Sequence, residues 1–154
     1  MPTLILESLR SLKDYTGREI ATTGWMAVTQ ERILQFAEAT EDRQWIHVDP
    51  ERAQRESPFG AAIAHGFLTL SLVSHFMREA IQLPGEVRQT INYGLNRVRF
   101  PAAVRAGEKI RAHVRLQSYR ELEGSVEAVF DITMEAENSV KPCCVAECIL
   151  RYNF

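Results

Sequence analysis

An aspartate and a histidine stand five residues apart, at Asp42 and His47, in the stretch Asp42-Arg43-Gln44-Trp45-Ile46-His47-Val48-Asp49. An irregular loop can fold a carboxylate and an imidazole at this spacing around one water molecule. The carboxylate then accepts or orients a water proton, and the imidazole holds the water and relays a proton. The plainer alternative is an aspartate that turns the chain and a histidine that packs. Trp45 and Ile46 weigh against it, because two large apolar residues draw the loop into the interior. A carboxylate and an imidazole carried inward need partners. Asp49 precedes Pro50 and reads as a helix N-cap with proline at the first helical position.

A second group follows, Phe59-Gly60-Ala61-Ala62-Ile63-Ala64-His65-Gly66-Phe67, and it opens the most apolar stretch of the chain. The first N–H groups of a helix lack intrahelical partners and carry positive potential. Gly66 has no side chain to obstruct them, so its N–H can meet a carbonyl oxygen that is gaining charge. Ile63 and Ala64 precede it as candidate substrate contacts. Ser74 lies eight residues beyond Gly66, about two helical turns along the same side, and can offer a hydroxyl to the site or bond its own backbone. The bland reading of Ala-His-Gly is tight packing of helix on sheet, with His65 a hydrogen-bonded structural residue, as are His75 and His113. His47, Asp49 and His65 are also residue types that bind zinc or iron, but no His-Glu-x-x-His or facial triad accompanies them, and no metal is expected.

The elements that must position these residues follow from periodicity. Leu4 to about Tyr15 reads as a short amphipathic helix ended by Gly17, and Glu19 to Val28 as a strand. Thr29 caps a helix that places Ile33, Phe36, Ala37 and Thr40 on one face and stops near Thr40 or Glu41. Asp42 to Val48 reads as irregular, and a short helix runs from Pro50 to about Glu56. From Ala64 to Ile81 the apolar residues cover most of a helical circumference, which predicts a central helix buried nearly all round. Three period-two runs, centred on Ile110–Leu116, Val126–Met134 and Cys144–Tyr152, read as half-buried strands. An earlier strand, Thr90–Phe100, changes phase beside Gly94, the mark of a β-bulge. The sum is α+β, a curved antiparallel sheet wrapped around one helix, in a single domain spanning residues 1–154.

Composition narrows the partners. The 154 residues carry 18 Lys and Arg against 20 Asp and Glu, a net charge of −2, so no basic field gathers nucleic acid. Arg97, Arg99, Arg105, Lys109, Arg111 and Arg115 concentrate positive charge on part of the sheet. That is a solvated face or a contact for the phosphates of a nucleotide-bearing carrier. No apolar run approaches the ~20 residues that span a bilayer, and no signal peptide is read at the N-terminus. Cys143, Cys144 and Cys148 are an odd set in one short segment, which suits cytosolic thiols rather than a disulfide framework. The expected location is cytoplasmic.

Taken together, Asp42-x4-His47, Val48-Asp49-Pro50 and Phe59-Gly60-x2-Ile63-Ala64-His65-Gly66-Phe67 resemble the hydratase signature of the MaoC-like family of (R)-specific enoyl-CoA hydratases and related dehydratases. Gln44-Trp45-Ile46-His47 and Ile91-Asn92-Tyr93-Gly94-Leu95-Asn96-Arg97-Val98-Arg99-Phe100-Pro101 resemble its nodulation-protein-N-like branch. The resemblance runs from about Gly17 to Tyr152. It implies the hot-dog fold, Asp42 and His47 as the catalytic pair that activates water, and Gly66 as the thioester-binding N–H. Ser74 falls where some members place an active-site serine. It further implies a homodimer, an acyl-CoA or acyl-carrier-protein substrate, and no cofactor. Many members carry Asn-Pro between the Asp and the His, where this chain has Gln44-Trp45. The expected reaction is reversible hydration of a trans-2-enoyl-CoA to an (R)-3-hydroxyacyl-CoA. A hot-dog thioesterase is the competing enzyme, with Glu79 the only acid on the central helix. A non-catalytic acyl-CoA-binding module is the third reading.

Overall fold

A computed structural model describes residues 3–154. In chain order the elements are β1 (Leu4–Ile5), a 3₁₀ helix (Leu9–Tyr15), β2 (Glu19–Thr22), β3 (Met26–Ala27), α1 (Gln30–Thr40), α2 (Trp45–Val48), α3 (Pro50–Glu56), α4 (Gly66–Ser71), α5 (Val73–Ala80), β4 (Ile81–Gln82), β5 (Gln89–Arg99), β6 (Lys109–Leu122), β7 (Ser125–Ala136) and β8 (Cys144–Asn153). The main sheet runs β2-β6-β7-β8-β5, all neighbours antiparallel, with β3 also paired to β6. This is the α+β arrangement expected from the alternating runs, an antiparallel sheet against one central helix, and it matches the hot-dog fold that the resemblance implies.

The alternation fixes which face is inside. Along β7 every second residue from Val126 to Ala136 is buried, and β8 follows the same rule from Cys144 to Tyr152. Those side chains meet Leu68 of α4, Leu72 at the junction, and Val73, Phe76, Met77 and Ala80 of α5 in one core cluster. Gly124, at φ 70°, turns β6 into β7. The phase change in β5 is a register shift between Asn92 and Gly94, and a second shift lies between Leu95 and Arg97.

Three expectations are corrected. The N-terminal segment is a two-residue strand paired in parallel with β4, then a 3₁₀ helix, not an α-helix from Leu4. Leu9 and Leu12, three apart, keep the 3₁₀ period and are buried, as is Leu6 just before the helix. The strand expected over Glu19–Val28 is split around Thr23. There the hydroxyl accepts the Ala112 N–H at 2.9 Å and the Thr23 N–H bonds the Ala112 carbonyl, so β6 loses no partner at the break. The central helix is not buried all round. Phe67 is 68% exposed, and Ser71, His75 and Arg78 continue an open stripe beneath it. The helix also changes pitch at Leu72, whose N–H is shared between the carbonyls of Leu68 (3.2 Å) and Thr69 (3.3 Å).

Candidate active site

Three local structures carry the candidate residues. Helix α1 is capped by Thr29, whose hydroxyl accepts the Arg32 N–H. It ends at Glu41 in the left-handed conformation (φ 60°), which turns the chain sharply and delivers Asp42. Residues 45–48, expected as irregular, form one helical turn that brings His47 inward, 6% exposed. Trp45 is only half-buried, and Arg52 stacks over its ring at 4.4 Å. Asp49 caps α3 by accepting the Arg52 N–H at 3.0 Å.

The segment 62–66 locks the site together. Ile63 N–H bonds the Ile46 carbonyl at 3.0 Å, and Ala64 N–H bonds the Val104 carbonyl at 2.8 Å. The Ile63 carbonyl accepts from His47 Nδ1 at 2.6 Å. A carbonyl cannot donate, so Nδ1 carries the hydrogen and Nε2 is left with a free lone pair. Burial holds the His47 pKa below the ordinary 6.5, against the raising effects of the Ile63 carbonyl and of Asp42. His47 is therefore a neutral base at pH 7.

Asp42, His47 and His65 come together, each offering one atom within 4.8 Å of the others. The rings of His47 and His65 are stacked, 3.8 Å between centroids and tilted by 24°. His65 Nε2 donates to the main-chain carbonyl of Asp42 at 2.9 Å. The donor types suit zinc, but one nitrogen of each ring is already engaged with a main-chain carbonyl, and Asp49 is engaged elsewhere as a cap.

A cavity of about 350 Å³ opens beside this cluster, lined by His47, Ile63, Ala64, Gly66, Thr69, Phe59, Cys143 and the segment Phe100–Val104. Gly66 is the first residue of α4, where the N–H has no intrahelical acceptor. A Cβ built on Gly66 would lie 3.0–3.1 Å from the Phe100 ring, so the glycine lets that ring close over the helix start. Ser74 is placed elsewhere. It accepts from Asn92 Nδ2 at 3.1 Å and lines two neighbouring grooves of about 270 and 340 Å³ between the helix and strands β5 and β8. Leu70, Val73, Met77, Leu95, Leu150 and Tyr152 give those grooves apolar walls.

Three contributors to the site escape a reading of the sequence: Phe100–Val104 and Cys143, which line the cavity, and Gln30, whose Nε2 bonds the His47 carbonyl at 2.7 Å. The Phe100-Pro101 pair, apolar and strand-ending, was the one available signal. Of the arginine group, Arg97, Arg111 and Arg115 pair with Glu147, Glu135 and Asp131, while Arg99 and Arg105 flank the cavity wall in sequence. Glu79 accepts the Gly24 N–H at 2.5 Å and lies near His75 on the open stripe, lining none of these cavities.

Residues 12–138 match the MaoC-like domain family. This chain belongs to that family. It is 47% identical over 147 residues to 3-hydroxyacyl-thioester dehydratase Z of Mycobacterium tuberculosis, covering 95% of this chain and 96% of that one. It is 42% identical over 143 residues to nodulation protein N of Rhizobium meliloti, covering 92% and 89%. Among solved structures, the (R)-hydratase from A. caviae superposes with a TM-score of 0.67 at 23% identity, over 86% of this chain and 95% of that one. That likeness is one of fold.

Proposed function

We propose that this MaoC-like protein is an acyl-thioester hydratase, adding water reversibly to a trans-2-enoyl thioester to give the (R)-3-hydroxyacyl product. One observation carries the reading: a buried imidazole with a free Nε2 and Gly66, the first residue of α4, line the same cavity. The 47% identity to a protein named as a 3-hydroxyacyl-thioester dehydratase supports the same chemistry run in reverse.

Asp42 and His47 hold the water. Its oxygen bonds to C3, and the π electrons of C2=C3 move toward the thioester, building charge on the carbonyl oxygen. The Gly66 N–H faces that charge, and such donors commonly contribute 10²–10³-fold in rate. As the water attacks, the Asp42–His47 pair takes one of its protons, and C2 then receives a proton from that pair, so one H and one OH are added in all. The alkene is already polarised by its thioester, and these residues suffice without a cofactor. The acyl chain runs along the apolar grooves beside α5, and Arg99 and Arg105 meet the phosphates of CoA or of a carrier-protein prosthetic arm.

The working unit in this reading is a homodimer. Strand β5 is a sheet edge with Ile91, Tyr93 and Leu95 exposed on it, and Phe67 is the most exposed residue of the open stripe. A long apolar edge is left bare only rarely in a free chain. Charged residues at Ile91 and Tyr93 should convert the protein to monomer by sedimentation, with the far-ultraviolet spectrum kept.

The deciding experiment follows loss of enoyl absorbance with crotonyl-CoA and a longer enoyl-CoA, then resolves the product enantiomers. (R)-product that vanishes in Asp42→Asn supports the reading. Release of free CoA without hydration would transfer it to a thioesterase. Neither signal, with acyl-CoA still bound, would make the protein a binding module.

A further inference from the structure

We propose that His65, the residue preceding Gly66, is a positioning residue that sets Asp42 and His47 relative to each other and to the Gly66 N–H. The inference rests on the hydratase reading and extends it to a side chain outside the reacting pair.

Asp42 follows a left-handed turn and needs an anchor. Its neighbours supply little. Arg43 pairs with Glu38 at 2.8 Å, but both side chains are at least half exposed, and such pairs hold weakly. The Arg43 N–H turns back on the Glu41 carbonyl at 3.2 Å, a bond within the loop itself. The tie from this loop to the rest of the site is the bond from His65 Nε2 to the Asp42 carbonyl. It forms on a ring 3% exposed, where competition from water is slight.

The same ring backs His47. The 3.8 Å stack limits rotation of His47 about the bond it makes to Ile63, and Phe36 also packs on His65, 5.0 Å between ring centroids. The His65 backbone leads directly into Gly66. One residue thus touches the loop of the carboxylate, the ring of the base and the peptide of the thioester donor. A misplacement of about 1 Å among such groups costs roughly 10²-fold in rate.

His65 Nδ1 is buried with no hydrogen-bond partner among the described residues. A buried nitrogen without a protein partner is costly, so the position of this ring calls for a reason beyond packing. The ring is kept for what its other nitrogen and its face do. With Nε2 donating to a carbonyl, the tautomer is fixed.

Two variants separate the donor from the ring. Glutamine places an N–H donor near the position of Nε2; phenylalanine keeps the ring without the donor. His65→Phe should lower kcat by about 30-fold or more with KM changed less than about threefold, and His65→Gln should recover kcat to within about fivefold of wild type. Amide exchange at Arg43 and His47 should quicken about tenfold in the Phe variant and stay near wild type in the Gln variant. Equal losses in both variants, tracking only the folded fraction, would make His65 a packing residue and overturn the proposal. So would full activity and unchanged exchange in His65→Phe. Should the wild-type protein hydrate no enoyl thioester, the reaction falls, and the exchange comparison still decides whether His65 anchors the Asp42 loop.

Discussion

His47 makes two separable contributions, and substitution can divide them. Nδ1 donates to the buried Ile63 carbonyl at 2.6 Å, while Nε2 is the base of the proposed reaction. Asparagine places an amide N–H close to the position of Nδ1 and nothing at Nε2. His47→Asn should therefore keep the bond and lose the base. Removing a general base typically costs 10²–10⁴-fold in rate. His47→Ala removes both. It strands the Ile63 carbonyl, which costs about 1–3 kcal/mol, and it leaves a cavity that adds about 1 kcal/mol. For a chain of this size each kcal/mol lowers Tm by about 2–4 °C. The Ala variant should melt roughly 5–15 °C below wild type and the Asn variant within about 3 °C of it. The assay pairs calorimetry with crotonyl-CoA hydration on the same samples. Retention of more than about a tenth of wild-type kcat by His47→Asn would refute the base assignment, and an Asn variant as unstable as the Ala variant would refute the hydrogen-bond assignment.

The depressed pKa of His47 sets two pH dependences. In kcat/KM the acid limb should fall through a pKa below 6.5, because protonation removes the Nε2 lone pair, and His47→Asn should lack that limb. The unfolded state binds the proton at higher pH than the folded one, so the stability due to neutral His47 is complete above 6.5 and is lost as pH falls toward the folded value; Tm measured against pH in wild type and His47→Asn checks the sign. Gly66→Ala pushes the half-exposed Phe100 ring aside by a few tenths of an ångström. It should change Tm by less than about 3 °C while kcat/KM drops about tenfold, and equal losses of stability and activity would count against the site. Burial raises the thiols of Cys143, Cys144 and Cys148 to about 11, 12 and 11. A free thiol near 8.5 then holds about 300-fold more thiolate than Cys143, so a chromogenic disulfide should titrate none of the three in the folded protein within minutes and all three in denaturant.

Much of this was legible in the chain, for physical reasons that differ by element. The sheet announced itself because each strand has one wet face and one dry one, as in Val126–Ala136. Asp49 and Thr29 were readable as caps because capping depends on residue type at one position. Asp42 and His47 stood out because water activation of the kind proposed needs those types at short range. What was hidden depended on the main chain. His65 acts through a bond to a carbonyl, and every residue has a carbonyl, so no residue type signals its partner. The open stripe of the central helix was hidden too, since Phe67 is as apolar as the buried Phe76. Ser74 shares a helix face with Gly66 by count, but the change of pitch at Leu72 intervenes and the serine lines another groove.

The strut formed by residues 62–66 is bonded along both sides, to Ile46 and His47 on one and to Val104 and Ala106 on the other. Those ties are largely main-chain ones, indifferent to which side chains surround them. The grooves along α5, by contrast, are shaped by side chains alone. Natural variation can therefore enlarge, shorten or bend these grooves by single substitutions at Leu70, Val73 or Leu95 while the geometry around His47 stays fixed. A scaffold divided in this way is open to retargeting: a library confined to the groove walls should yield altered chain-length preference at little cost in turnover, whereas insertions within 62–66 should yield inactive protein.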